Sequence, residues 1–339
     1  MFGGTSHPRS AVRTAGATWG ELGAGVTPLE PPSEEGDVFH RASWDWEFEG
    51  APSHYRGHAR GLHRTNLVDR SVGATHTDLG LCRLEPGGEV PPHVHSFERC
   101  IYVLGGTPTL ELDHRAVELE IGSYALFPVG LPHALRNDAA DEARWLELST
   151  PQPEPDGPAG ADTLFLAATP PLPAQRPDVV DPTRRYLGRY LGTPPQHEAL
   201  AVAGPVRGRA TAGMDSALLA YSGISVKMMV DATLGADLLT MFTVDYEPGG
   251  AAQVHDHPFE EAYFFLEGEI EAEIEGAAQR FRAGEVLFCG VGVDHGFFNS
   301  GSGRVRWVET QAPQPPRRHS YRWPSHWQQL RGEIEAGRR

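Results

Sequence analysis

His255-Asp256-His257-Pro258-Phe259-Glu260-Glu261 is the stretch whose reading decides the fold of this 339-residue chain. Gly249 precedes His255 by five intervening residues, and one residue separates His255 from His257. Three more lead to Glu261 and a further six to Gly268. A second cluster runs Gly284, six residues, Val291-Gly292, two residues, His295, three residues, Asn299. Imidazole and carboxylate are ligands for borderline or hard divalent cations. On an extended strand alternate side chains share a face, so His255 and His257 point the same way and Glu261 keeps their parity. His295 then comes from a later strand lying beside the first, and four donors converge inside a barrel.

The same pattern occurs earlier in the chain. His93, His95, His133 and Asn137 return as His255, His257, His295 and Asn299. Val68-Asp69 returns as Val230-Asp231, Pro86-Gly87-Gly88 as Pro248-Gly249-Gly250, and Trp145 and Glu147 as Trp307 and Glu309. Pro151-Gln152-Pro153 returns as Pro313-Gln314-Pro315, and every pair lies 162 positions apart. A register held that long without insertion marks an internal duplication. Within each unit the segments read as strands. GEIEAEIEG alternates Ile270, Ala272 and Ile274 with glutamates, and Glu275-Gly276 then supplies a turn.

These segments resemble the two signature motifs of the cupin superfamily, small β-barrels of jelly-roll type. One departure is Gly290, which stands where the second motif usually has Pro. The resemblance implies that His255, His257, Glu261 and His295 bind one metal ion, and the duplication makes the chain similar to a bicupin. The expected fold class is therefore all-β: two tandem cupin (jelly-roll β-barrel) domains with an N-terminal arm, a Pro-rich linker and a short C-terminal helix. The expected boundaries are an arm over 1–66, a first cupin domain over 67–153 and a linker with connecting strands over 154–228. A second cupin domain follows over 229–315, and a helical tail over 316–339. Asp181-Pro182 suggests a short helix to about residue 192, and Ser325 caps the expected C-terminal helix.

The two copies differ in their donor sets. Arg99 stands in the first copy where Glu261 stands in the second. A guanidinium stays charged and does not ligate a metal. Three readings of His93, His95, His133, Arg99 and Glu98 follow: a three-histidine metal centre, a metal-free pocket in which Arg99 binds a carboxylate, or a structural remnant. Glu98 has the wrong strand parity to replace Glu261 directly. The expected working site is thus the second copy, with Tyr263 on the parity of Glu261 as the candidate catalytic residue. Tyr263 is placed either to donate a proton or hydrogen bond to substrate or to pack in the core.

The expected cofactor is one divalent transition metal, with iron or manganese favoured and nickel, zinc and copper also compatible with a thiolate-free set. The resemblance implies a metal-dependent enzyme acting on a small polar metabolite, foremost a mononuclear non-haem dioxygenase. The alternative is a manganese-dependent, redox-neutral hydrolase, isomerase or decarboxylase. Its layout resembles ureidoglycine aminohydrolase-like bicupins, whose metal sits in the C-terminal half. That family has other ligand types at the positions of His255, Glu261 and His295. A non-catalytic, ligand-binding cupin is the third class. A formal charge of −16 argues against nucleic acid or an anionic membrane as partner. Three cysteines, Cys82, Cys100 and Cys289, show no CxxC spacing and suggest a reducing compartment. No apolar run is long enough to span a membrane. A cytoplasmic homo-oligomer, a dimer by resemblance, is the expectation.

Overall fold

The computed structural model describes residues 39–42, 48–55, 57–154, 162–167, 170–175, 186–191 and 222–315. The expected C-terminal helix lies outside them. Among the described residues there is no α-helix, and the only helical turns are the 3-10 segments Ser53–Tyr55 and Arg70–Val72. No helix among the described residues is long and apolar enough to cross a membrane. Each copy folds as a jelly-roll barrel of antiparallel strands.

In the second copy one sheet runs, edge to edge, Phe39–Ala42, Val286–Cys289, Glu260–Glu267, Val305–Ala312, Thr240–Tyr246 and Ile224–Val230. Facing it are Ala251–His255, His295–Phe298, Glu269–Ile274 and Ala277–Arg282. The last two strands join through Glu275 and Gly276, both at positive φ, as a tight hairpin turn requires. In the first copy one long strand, Asp78–His95, passes through both faces and merges them into a single sheet. Arg60–Val68, which starts inside the segment assigned to the N-terminal arm, pairs along it.

Side-chain alternation explains how the barrels meet. In Glu260–Glu267, Tyr263 and Phe265 enter the second barrel, whereas Ala262 and Phe264 face outward. In Glu98–Gly105, Ile101 and Val103 line the first barrel, and Cys100 and Tyr102 face outward. The outward sets join in one buried core that also takes Leu126, Leu146 and Leu148 from the first copy and Met241, Val286 and Phe288 from the second. Both faces of these strands are therefore dry, which is why they read as near-continuous apolar runs.

The extra strands are exchanged between copies. Phe39–Ala42, ahead of the first copy, pairs antiparallel with Val286–Cys289 at the edge of the second. Leu187–Arg189, ahead of the second copy, pairs antiparallel with Ser123–Phe127 at the edge of the first. This corrects the helix expected from Asp181 to residue 192: 187–189 form a strand, because the open edge of Ser123–Phe127 offers a full ladder that a solvent-facing turn of helix does not.

Candidate functional site

In the second copy His255 ends its strand directly opposite His295, the first residue of the next. The ring centroids of His255, His257 and His295 lie 4.5–5.1 Å apart, and their ligating atoms fall within 4.8 Å of one another. Nδ1 of His255 is 2.7 Å from the Gln253 carbonyl and Nδ1 of His295 is 3.0 Å from that of Val293. A carbonyl accepts only, so Nδ1 carries the proton and Nε2 offers its lone pair. Phe259 stacks on the His257 ring at 4.8 Å.

Glu261 lies against two of the three imidazoles, His257 and His295. Its Oε2 lies 3.2 Å from Nε2 of both His257 and His295, and Gln311 donates to its Oε1 at 2.8 Å. The Tyr263 hydroxyl donates to Oε2 and lies 3.0 Å from His295 Nε2. Burial alone would raise the Glu261 carboxyl, but the facing His257 and His295 outweigh it and hold it well below the usual range. Burial, reinforced by Glu261, pushes the Tyr263 phenol well above its ordinary value. His255 is held well below the usual imidazole range by burial and by the two neighbouring imidazoles. Behind them Glu309, pushed well up by burial and by Glu261, accepts from the Trp307 indole at 3.0 Å. Three imidazoles and one carboxylate in a dry pocket form a donor set that suits a borderline divalent cation.

The first copy assembles its three histidines in the same way, with centroids 4.1–5.0 Å apart and ligating atoms within 4.8 Å of one another. Nδ1 of His93 meets the Pro91 carbonyl at 2.7 Å and Nδ1 of His133 meets that of Leu131 at 2.9 Å. Nε2 of His93 and of His95 are buried and have no hydrogen-bond partner among the described residues. Burial lowers His93 to about 4 and takes His95 and His133 well below their usual range.

Arg99 does not project into this cluster as an open anion site. Its Nε donates to Ser149 Oγ at 2.9 Å, its other nitrogens meet the Tyr55 hydroxyl and His54 Nε2, and Glu147 pairs with it at 3.3 Å. Burial would raise Glu147, yet Arg99 and Arg64 together hold it below the usual range. Glu98 is not in the cluster at all. It accepts backbone N–H groups from Asp237, Leu238 and Leu239 of the other copy at 2.9–3.1 Å. Its counterpart Glu260 accepts from Thr75, His76 and Thr77 at 2.6–2.9 Å.

Sequence reasoning missed Gln311, Tyr55 and Thr163. Gln311 sits two residues beyond Glu309 on the same strand face, and its first-copy counterpart is Ser149, so the repeat carried a signal for it. Tyr55 precedes the repeat and nothing local marks it as buried. Asn299, by contrast, ties down a turn, donating to the carbonyls of Tyr246, Glu247 and Gly303 at 2.8–3.1 Å.

Comparison with known proteins agrees with this layout. The family described as Cupin domain matches twice, over residues 80–149 and 242–310. Among curated proteins the chain is 33% identical over 94 residues to "Polyketide synthase CurC" of Streptomyces cyaneus, covering 27% of this chain and 61% of that protein. It is 32% identical over 108 residues to "Tetracenomycin polyketide synthase protein TcmJ" of Streptomyces glaucescens, covering 31% of this chain and 70% of that one. Among solved structures, the oxalate decarboxylase formate complex of Lactobacillus farciminis superposes with a TM-score of 0.55 at 13% identity, covering 90% of this chain and 95% of that one. Protein YlbA of E. coli gives 0.54 at 13% identity, covering 87% and 97%. At such identities the structures share the fold, and no more is carried from them.

Proposed function

This chain belongs to the cupin superfamily, with two cupin domains in tandem, and from that premise we propose that it is a metal-dependent dioxygenase of small organic molecules working in its second copy. The observation that carries the reading is the buried convergence of His255, His257 and His295, with Glu261 against two of them, His257 and His295, and the Tyr263 hydroxyl hydrogen-bonded to that carboxylate. A bound iron or manganese ion would supply Lewis acidity and a one-electron path to dioxygen. The protein's own part is to hold four donors and to keep Glu261 ionised. The neutral Tyr263 phenol gives its one O–H to the Glu261 carboxylate and so orients that donor. Two of the relatives bear polyketide synthase names. That favours a phenol, enol or diketone, whose paired oxygens can chelate a metal.

The test pairs metal analysis with oxygen uptake. Protein from a defined metal supply is expected to carry an ion that His257→Ala removes while circular dichroism stays unchanged. Oxygen consumption with a panel of phenols and diketones is expected to require that ion. Turnover without oxygen consumption would make the enzyme redox-neutral, and unchanged metal content in the variant would remove the assignment altogether.

A further inference from the structure

Strand register sorts the interior of each barrel into rows. In the second copy His255 faces His295, His295 faces Ile274, and Ile274 faces Ala277. The next row into the strands is Ala252, Phe297, Ala272 and Gln279, each opposite the one before. In the first copy that row is Val90, Leu135, Leu110 and Val117, all aliphatic. Gln279 is 2% exposed, and neither end of its amide has a hydrogen-bond partner among the described residues. Its face is fixed, because Phe281, two residues on, stacks on Phe265 of the opposing sheet at 5.2 Å inside the barrel. An unpaired amide in a dry interior is costly, and an apolar side chain of the same size would avoid the cost. The first copy is covered at its histidine strand by Thr163–Phe165, with Thr163 Oγ1 3.0 Å from His95 Nδ1. Among the described residues, the matching edge of Ala251–His255 carries no such strand.

We propose that Gln279 is a substrate-orienting residue of the second barrel, whose amide binds a neutral hydrogen-bonding group at the end of the substrate remote from His255, His257, Glu261 and His295. The inference deepens the reading of the second copy as the working centre and rests on it. Gln279 lies one row, about 7 Å, further in than His295 and two strands, roughly 10 Å, across from it. A ring whose paired oxygens sit at the histidine cluster therefore points its far edge at the amide. Ala252 and Ala272, where the first copy has Val90 and Leu110, keep the wall between them low. Phe297 supplies an apolar face along the way, its ring 5.9 Å from that of His295 and 5.1 Å from that of Tyr263. The amide offers an acceptor and two donors and carries no charge, so it suits a hydroxyl, an enol or a carboxamide. It gives a carboxylate nothing to offset the burial of a second negative charge in the barrel that holds Glu261.

The test uses metal-loaded, full-length protein and two catechols of one shape, 3,4-dihydroxybenzamide and 4-isopropylcatechol. The first carries a carboxamide where the second carries a branched alkyl group. Gln279→Met keeps the side-chain volume and removes the amide. In calorimetric titration Gln279→Met is expected to bind 3,4-dihydroxybenzamide about tenfold more weakly than the parent, and 4-isopropylcatechol within about twofold of it. Metal content should match the parent, and the urea midpoint should be equal or higher, because the amide has no internal bond to lose. Gln279→Val, which installs the residue of the first copy, gives the same comparison should Gln279→Met misfold. An equal change for both probes, no change for either, or a lower urea midpoint in both variants would overturn the proposal. The last result would show that the amide is satisfied within the folded chain. A parent that holds its ion yet does not bind 3,4-dihydroxybenzamide would also overturn it and leave the metal centre standing. A parent without an ion would remove the working centre, and the proposal with it.

Discussion

At the scale of single residues, the divergence of the copies is a set of compensated exchanges. Glu261 replaces Arg99, and the strand neighbours follow: Gln311 stands for Ser149, Tyr263 for Ile101, Cys289 for Phe127 and Val226 for Arg64. In the first copy Phe127 stacks on His133; the smaller Cys289 at that place leaves room for the Tyr263 hydroxyl to reach His295 and Glu261. Tyr263→Phe should therefore leave the fold intact and the ion bound, but weaken its affinity by about 10- to 100-fold, as loss of a hydrogen bond to a ligating group does. Competition with a calibrated chelator measures this; an unchanged affinity would reduce Tyr263 to core packing. The grouping of the histidines was legible because strand parity and spacing are local. Glu98 was not: its partners lie about 140 residues away and leave no mark on its neighbours in sequence.

At the scale of elements, the same strand serves two barrels by its two faces. Arg99 and Glu261 point into their own barrels, while Glu98 and Glu260, one residue earlier, cross to the other copy and each bind three backbone N–H groups of its 75–77 or 237–239 turn. Glu260→Ala strands the buried Thr77 donor and takes the acceptor from the partly buried N–H groups of Thr75 and His76. An unsatisfied buried group costs about 1–3 kcal/mol, so the variant should lose roughly that much in urea unfolding. Glu260→Gln keeps an acceptor and should lose less. Equal stability of Glu260→Ala and the parent would mean that water enters the turn and takes over the donors. The exchanged edge strands follow the same logic, since an open edge is an aggregation hazard that a paired segment removes. Local pattern did not reveal Leu187–Arg189 as such a strand, because three residues carry too little periodicity and their pairing partner lies more than 60 positions earlier.

At the scale of the whole molecule, the core between the barrels draws on both copies, so metal-stripped protein should unfold in one cooperative transition. Its pH dependence follows from the buried groups. His54 is lowered to about 2 and His93 to about 4, first by burial, and His95, His133 and His255 fall well below the usual range for the same first cause. Below pH ~6.5 the unfolded chain takes up protons on these histidines and the folded chain does not, so stability falls as pH drops, by up to about 1.4 kcal/mol per pH unit for each group. Glu98 and Glu309 act with the opposite sign: burial raises them, so between the usual carboxylate range and their raised values stability falls as pH rises. Five lowered histidines outnumber two raised carboxyls, so the histidine sign prevails between pH 6.5 and 5. Glu147 and Glu261 are held low, so their stabilisation is present throughout that window and is lost only as pH falls through their depressed values. The urea midpoint of chelator-treated protein should therefore decline steadily from pH 7 to 5, and more steeply once metal is restored, because protons then compete with the ion for the same Nε2 lone pairs. A flat apo profile over that range would mean that the histidines are solvated and protonate freely in the folded state, which the dry, convergent clusters do not allow.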